Sequence, residues 1–114
     1  MPGAAVDLVH LERYTGGDIA LNQEVLRLFD GQTSELVERL ESILGARDAK
    51  SWKEVTHTLK GAARGVGAFA FANAAAAAEP IDPTTDTSSA LLAIAALKAQ
   101  AGDVHRFIEA YLER

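Results

Sequence analysis

Prolines occupy only positions 2, 80 and 83 of this 114-residue chain. Proline lacks a backbone donor and its ring clashes with the preceding turn, so it ends helices. The stretch from Asp7 to Glu79 is therefore free to be helical, broken only where glycine permits a turn. Composition points the same way. Alanine supplies 22 residues, while Val, Ile, Tyr and Trp are sparse. Alanine favours helix, and strands draw on branched and aromatic side chains. With 48% hydrophobic and 24% charged residues, the chain can fill a core and need not be disordered. Its length fits one domain, residues 1–114.

Caps and breakers divide the chain. Asp7 caps a short helix from Leu8 to about Tyr14, and Thr15-Gly16-Gly17-Asp18 reads as a stop, a turn and a new N-cap. A long helix follows from Ile19 to about Leu44, with Val25/Leu26, Phe29, Leu36/Val37, Leu40 and Ile43/Leu44 at three- and four-residue steps. Gly45 ends it and Asp48 caps a third helix, Ala49 to Arg64 or Val66. Gly65 and Gly67 loosen the backbone before a fourth helix from about Ala68 to Glu79. Residues 80–88 read as a loop, residues 1–6 as a flexible lead. Thr87 or Ser88 is expected to cap the last helix, which runs to about Leu112 and which Gly102 interrupts. Four substantial helices with short connections predict an all-α antiparallel four-helix bundle, with the short first helix as a lid. The run Ala74–Ala78 reads equally as compositional bias or as a surface for close helix approach.

Several functions are excluded early. Without cysteine there is no disulfide, thiolate metal site or Cys nucleophile. A net charge of −5 argues against neutralising many nucleic-acid phosphates. No apolar run reaches the roughly 20 residues of a membrane helix, and no basic lead precedes an apolar stretch, so the expected location is cytoplasmic. His10, His57 and His105 do not pair at i, i+3 or i+4, so no helical metal motif is present. No glycine-rich nucleotide loop of the G-x-x-x-x-G-K-[ST] type exists.

The third helix carries the chemistry. At 100° per residue, Trp52, Val55, Leu59, Ala62 and Val66 fall in one arc and form its core stripe. His57 lies opposite. Around it stand Lys53 at i−4, Lys60 at i+3, Gly61 at i+4 and Arg64 at i+7. An exposed histidine among surface cations is ordinarily just a solvated face. Two details say more. Gly61 costs the helix roughly 1 kcal/mol relative to the alanine used freely beside it, which suggests that something approaches the backbone there. The cations also gather in an acidic chain. Positive charge near an imidazole favours its neutral, nucleophilic form and would offset a dianionic phosphoryl group.

The segment His57-Thr-Leu-Lys-Gly-Ala-Ala-Arg-Gly-Val-Gly-Ala68 resembles the signature of histidine-containing phosphotransfer (HPt) domains, roughly H-x-L-K-G-[SA]-[SA]-x-x-[LIV]-G-A. The pattern continues through Phe71, Ala75, Ala78 and Glu79, where two larger family residues are replaced by alanine, so looser packing is expected. Upstream, Tyr14-Thr-Gly-Gly-Asp18, Val25-Leu-Arg-Leu-Phe29, Leu36 to Leu44 and Asp48-x-x-x-Trp52 resemble the family's first helices and turn.

The resemblance implies a phosphocarrier rather than a true kinase, with no ATP site. His57 would take a phosphoryl group from a receiver aspartyl phosphate and pass it to another receiver, or exchange it with a hybrid histidine kinase. Lys60 and Arg64 would offset charge, Gly61 would admit the receiver, and magnesium would come with the receiver. Glu79 reads equally as a partner that orients the His57 ring and as a plain surface carboxylate. Ile19, Leu21 and Val25 are more readily core than docking residues. The module is expected to be free-standing and monomeric. Two other readings differ in class. One is an adaptor bundle that docks receivers or kinases without accepting phosphate. The other is a kinase dimerisation domain, which calls for an acidic residue after the histidine, where Thr58 stands here.

Overall fold

The computed structural model describes residues 4–113. Among them there is no strand, and five helices follow in order: α1 Leu8–Thr15, α2 Ile19–Gly45, α3 Ala49–Val66, α4 Phe69–Ala78 and α5 Thr87–Leu112. Helix α2 packs on α3 and α5, α3 on α4, and α4 on α5, so the four longer helices close a ring. Helix α1 touches α2 and α3 at its side. Inside the ring lie Leu26, Phe29, Val37 and Leu40 of α2, Trp52 and Leu59 of α3, Phe71 of α4, and Ile94, Leu97 and Ile108 of α5. Phe29 meets Phe71 edge-on at 6.1 Å between ring centroids.

Four of the five starts are set by aspartate. The side chains of Asp7, Asp18, Asp48 and Asp86 accept from the backbone N–H of His10, Leu21, Ser51 and Ser89, satisfying donors that a first helical turn leaves orphaned. The cap of α5 is thus Asp86, not Thr87 or Ser88. Its carboxylate outcompetes the neighbouring hydroxyls because a charged acceptor bonds more strongly and favours the positive end of the helix dipole. The loop accordingly ends at Asp86. Gly102 does not interrupt α5; it weakens the helix but lies under the Arg106 guanidinium, 3.4 Å from where a Cβ would sit.

The lead meets the bundle at its last residue. Val6 is 1% exposed, and the Asp7 N–H donates to the Gly67 carbonyl at 2.9 Å. Residues 1–3 lie outside the described residues. Gly67 ends α3 with φ +88, and a Cβ there would stand 2.7 Å from the Asp7 carbonyl oxygen. Only glycine permits both that conformation and that approach.

The ring closes through side chains as well. Asn22, fully buried on α2, donates to the Tyr111 hydroxyl of α5 at 3.1 Å and bonds Thr15 of α1. Further along, Asp30 of α2 contacts His105 Nδ1 at 2.9 Å, and Glu109 takes Nε2 at 2.9 Å. The Asp30 hydrogen bond is the main cause of a raised His105 pKa, and Glu109 adds to it. A pKa raised on folding stabilises the fold fully below the unfolded value, near 6.5, and that stabilisation is lost as pH rises through the higher folded value. The melting-temperature gap between wild type and His105→Gln is therefore expected to be widest near pH ~5.5 and to narrow by about pH 8.5. A gap that widens with pH would contradict the pairing.

Candidate functional site

Helix α3 is amphipathic, and its buried side is Trp52, Val55, Thr56, Leu59, Ala63 and Val66. Compared with the stripe expected from periodicity, the buried arc is turned by a fraction of a turn, taking Ala63 in place of Ala62. Thr56 is buried because its hydroxyl donates back to the Trp52 carbonyl at 2.8 Å, which satisfies it inside the helix. The turn brings the Lys60 side of α3 over α4. There the alanines allow close approach: Ala72, Ala75 and Ala78 are all buried. Ala75 and Ala78 are both closed over, and the Trp52 indole N–H donates to the Ala78 carbonyl at 2.9 Å.

That bond fixes the end of α4, and the next residue is Glu79. Its Oε1 accepts from Lys60 Nζ at 2.5 Å, and its Oε2 stands 3.1 Å from His57 Nδ1. Residues 22 positions apart thus meet across two helices. The Lys60 hydrogen bond holds the Glu79 carboxyl below its usual value; partial burial opposes it and the His57 contact assists. Glu79 is therefore a carboxylate at neutral pH. With an anionic acceptor on one ring nitrogen, the neutral imidazole carries its proton on Nδ1 and leaves the Nε2 lone pair available. The His57 side chain is 68% exposed, and no described residue bonds its Nε2.

The other histidines differ. His105 has carboxylates on both ring nitrogens. His10 has a buried Nε2 without a hydrogen-bond partner among the described residues, enclosed edge-on by Tyr14 and Phe69. Exposure and an open nitrogen coincide only at His57.

The remaining motif residues lie along the same face. Gly61 is one turn on, and a Cβ there would meet nothing within 4 Å. The fold itself therefore gives no reason for glycine. Arg64 is exposed two turns from the ring, and its guanidinium has no hydrogen bond or ion pair to a described residue. Beside the ring opens a depression of about 460 Å³ lined by Lys50, Lys53, Glu54, His57 and Glu79. The contribution of Trp52 to placing Glu79 was not legible from helix α3 alone. Its one sequence signal is that Trp52 is the single tryptophan. Among the described residues no group of three or more His, Asp or Glu is placed to hold a metal ion. No described helix is long and apolar enough to cross a membrane. Ile19 and Leu21, expected in the core, are 65% and 39% exposed; only Val25 packs partly against it.

If Gly61 serves an approaching partner, its two replacements should act with opposite sign. Gly61→Ala is expected to raise stability by up to about 1 kcal/mol by removing a helix-interior glycine. Gly61→Gln should fold normally and slow the phosphotransfer that the motif resemblance implies. Thermal melts and transfer rates on both variants check this, and normal transfer by Gly61→Gln would show the glycine to be incidental.

The model of the Hpt domain family matches residues 24–107, and the chain belongs to that family. Comparison with curated proteins and with solved structures found no match. Hpt membership implies a phosphotransfer role in two-component signalling, in which such domains generally interact with receiver domains and kinases.

Proposed function

We propose that this chain relays phosphoryl groups between receiver aspartates, and to or from a hybrid histidine kinase, with His57 Nε2 as acceptor. The observation that carries this reading is the contact of Glu79 with Nδ1, which leaves an exposed Nε2 open. In the forward step the Nε2 lone pair attacks phosphorus in line. The P–O bond to the bridging carboxyl oxygen of the receiver's aspartyl phosphate breaks, its electron pair leaves on the carboxylate, and a P–N bond forms. The proton stays on Nδ1, so the ring becomes cationic and faces the Glu79 carboxylate. The transition state is loose, with charge on the equatorial oxygens. Lys60 and Arg64 are the motif cations that offset it, and Gly61 gives the receiver access. The magnesium ion belongs to the receiver. Exposed Tyr14, Ile19 and Leu21, near the corner between α1 and α2, offer apolar docking contacts.

On this reading residues 1–114 form one cytoplasmic, monomeric module whose longer helices run as an antiparallel four-helix bundle. The test is incubation with phosphorylated receivers and hybrid kinases of the same genome. Label should move to this chain and be acid-labile and alkali-stable, as an N–P bond requires. Stable complexes without any label would favour the adaptor reading instead.

A further inference from the structure

Charge matching around the depression beside His57 leaves one group over. Glu79 is engaged by Lys60 at 2.5 Å. Glu54 faces Lys50 at 4.0 Å, its i−4 neighbour. The fifth lining residue, Lys53, is exposed, and its ammonium has no hydrogen bond or ion pair to any described residue. Among the described residues that line the depression, Lys53 is the uncompensated cation.

The shared depression places Lys53 beside the ring. Side chains on an α-helix lean toward its N-terminus, so a residue covers the turn before its own Cα. His57 therefore leans over the turn that holds Lys53, about 6 Å back along the axis, whereas Arg64 starts about 10 Å ahead. Lys60, on the following turn, leans toward the ring, but its ammonium is drawn onto Glu79 and only 20% of its side chain is exposed. A phosphoryl group on Nε2 adds two negative charges beside these residues. Lys60 already answers a carboxylate. Lys53 answers none.

We propose that Lys53 is a phosphoryl-contacting residue that sets the lifetime of phosphohistidine at His57. The inference rests on the reading of His57 as acceptor. The chemistry is direct. Resting phosphohistidine holds two full negative charges on its phosphoryl oxygens, and in the loose transition state of hydrolysis those oxygens carry less charge, so a cation paired with them stabilises the intermediate more than its breakdown. Lys53 lies outside the twelve-residue motif that begins at His57. It is therefore a position where storage time can be adjusted without altering the acceptor, Lys60 or Gly61.

The experiment separates this role from partner docking by leaving the partner out. Full-length wild type, Lys53→Ala, Lys53→Arg, Lys53→Glu and Lys60→Ala are phosphorylated with phosphoramidate and desalted. Loss of phosphohistidine is then followed by phosphorus NMR. Lys53→Ala should shorten the lifetime roughly two- to five-fold, the range for one exposed charge pair. Lys53→Arg should restore it, and Lys53→Glu should shorten it further. Added salt should narrow the differences. Melting curves should not move, because Lys53 packs against nothing that the fold needs. A wild-type lifetime in both Lys53→Ala and Lys53→Glu overturns the assignment while leaving His57 as acceptor. If wild type takes no label on His57 from phosphoramidate or from a phosphorylated receiver, the acceptor reading fails and this inference falls with it.

Discussion

His57→Gln is expected to take up no phosphoryl group from a phosphorylated receiver, while its melting curve stays within experimental error of wild type. The side chain is 68% exposed, so its removal costs little packing, and surface substitutions of this kind usually shift stability by under about 0.5 kcal/mol. Glutamine keeps a polar group opposite Glu79 but has no nucleophilic nitrogen. His10→Gln and His105→Gln should label normally. The Nε2 of His10 is buried, and both nitrogens of His105 face carboxylates. Label persisting on His57→Gln would move the acceptor elsewhere and undo the proposed chemistry.

Trp52→Ala should destabilise the fold by about 3–5 kcal/mol, a large share of the roughly 5–15 kcal/mol that holds a domain together. Trp52 is completely buried, sits in the first turns of α3, and ties the end of α4 through the Ala78 carbonyl. Trp52→Phe separates the two contributions. It keeps most of the apolar bulk and loses the indole N–H, at a cost nearer 1 kcal/mol plus the smaller ring's packing deficit. Ala78 retains the Ile81 N–H as a partner at 3.1 Å, so its carbonyl is not orphaned. Urea melts on both variants test the ranking. A loss below about 1 kcal/mol for Trp52→Ala would mean that the α3–α4 junction is held by other contacts.

What could be read from sequence follows a physical divide. Asp7, Asp18 and Asp48 were legible as caps because each stands alone at a break. Asp86 was not, since Thr85, Thr87, Ser88 and Ser89 around it are all competent cappers. His57, Lys60, Gly61 and Arg64 were legible together because one helix's geometry relates them. The exchange of Ala62 for Ala63 left no trace, since periodicity cannot choose between adjacent identical residues. Glu79 was half legible: its place after α4 was clear, but its contact with His57 depends on how two helices pack. Ile19 and Leu21 misled because apolar character at a helix start indicates burial only when a neighbouring element covers it.

The ring of helices has a consequence for how the chain reaches its structure. Three of its four seams join helices that follow one another along the chain, and these form without long loops to close. The α2–α5 seam is different. It joins Asn22 to Tyr111 across 89 positions and Asp30 to His105 across 75. Closing so long a segment is entropically costly before contacts reward it. That seam is expected to form after the rate-limiting barrier, and removing the Tyr111 hydroxyl should then accelerate unfolding with the refolding rate nearly unchanged. Stopped-flow chevrons of Tyr111→Phe measure this directly, and a slower refolding arm would place the closing of the ring inside the nucleus.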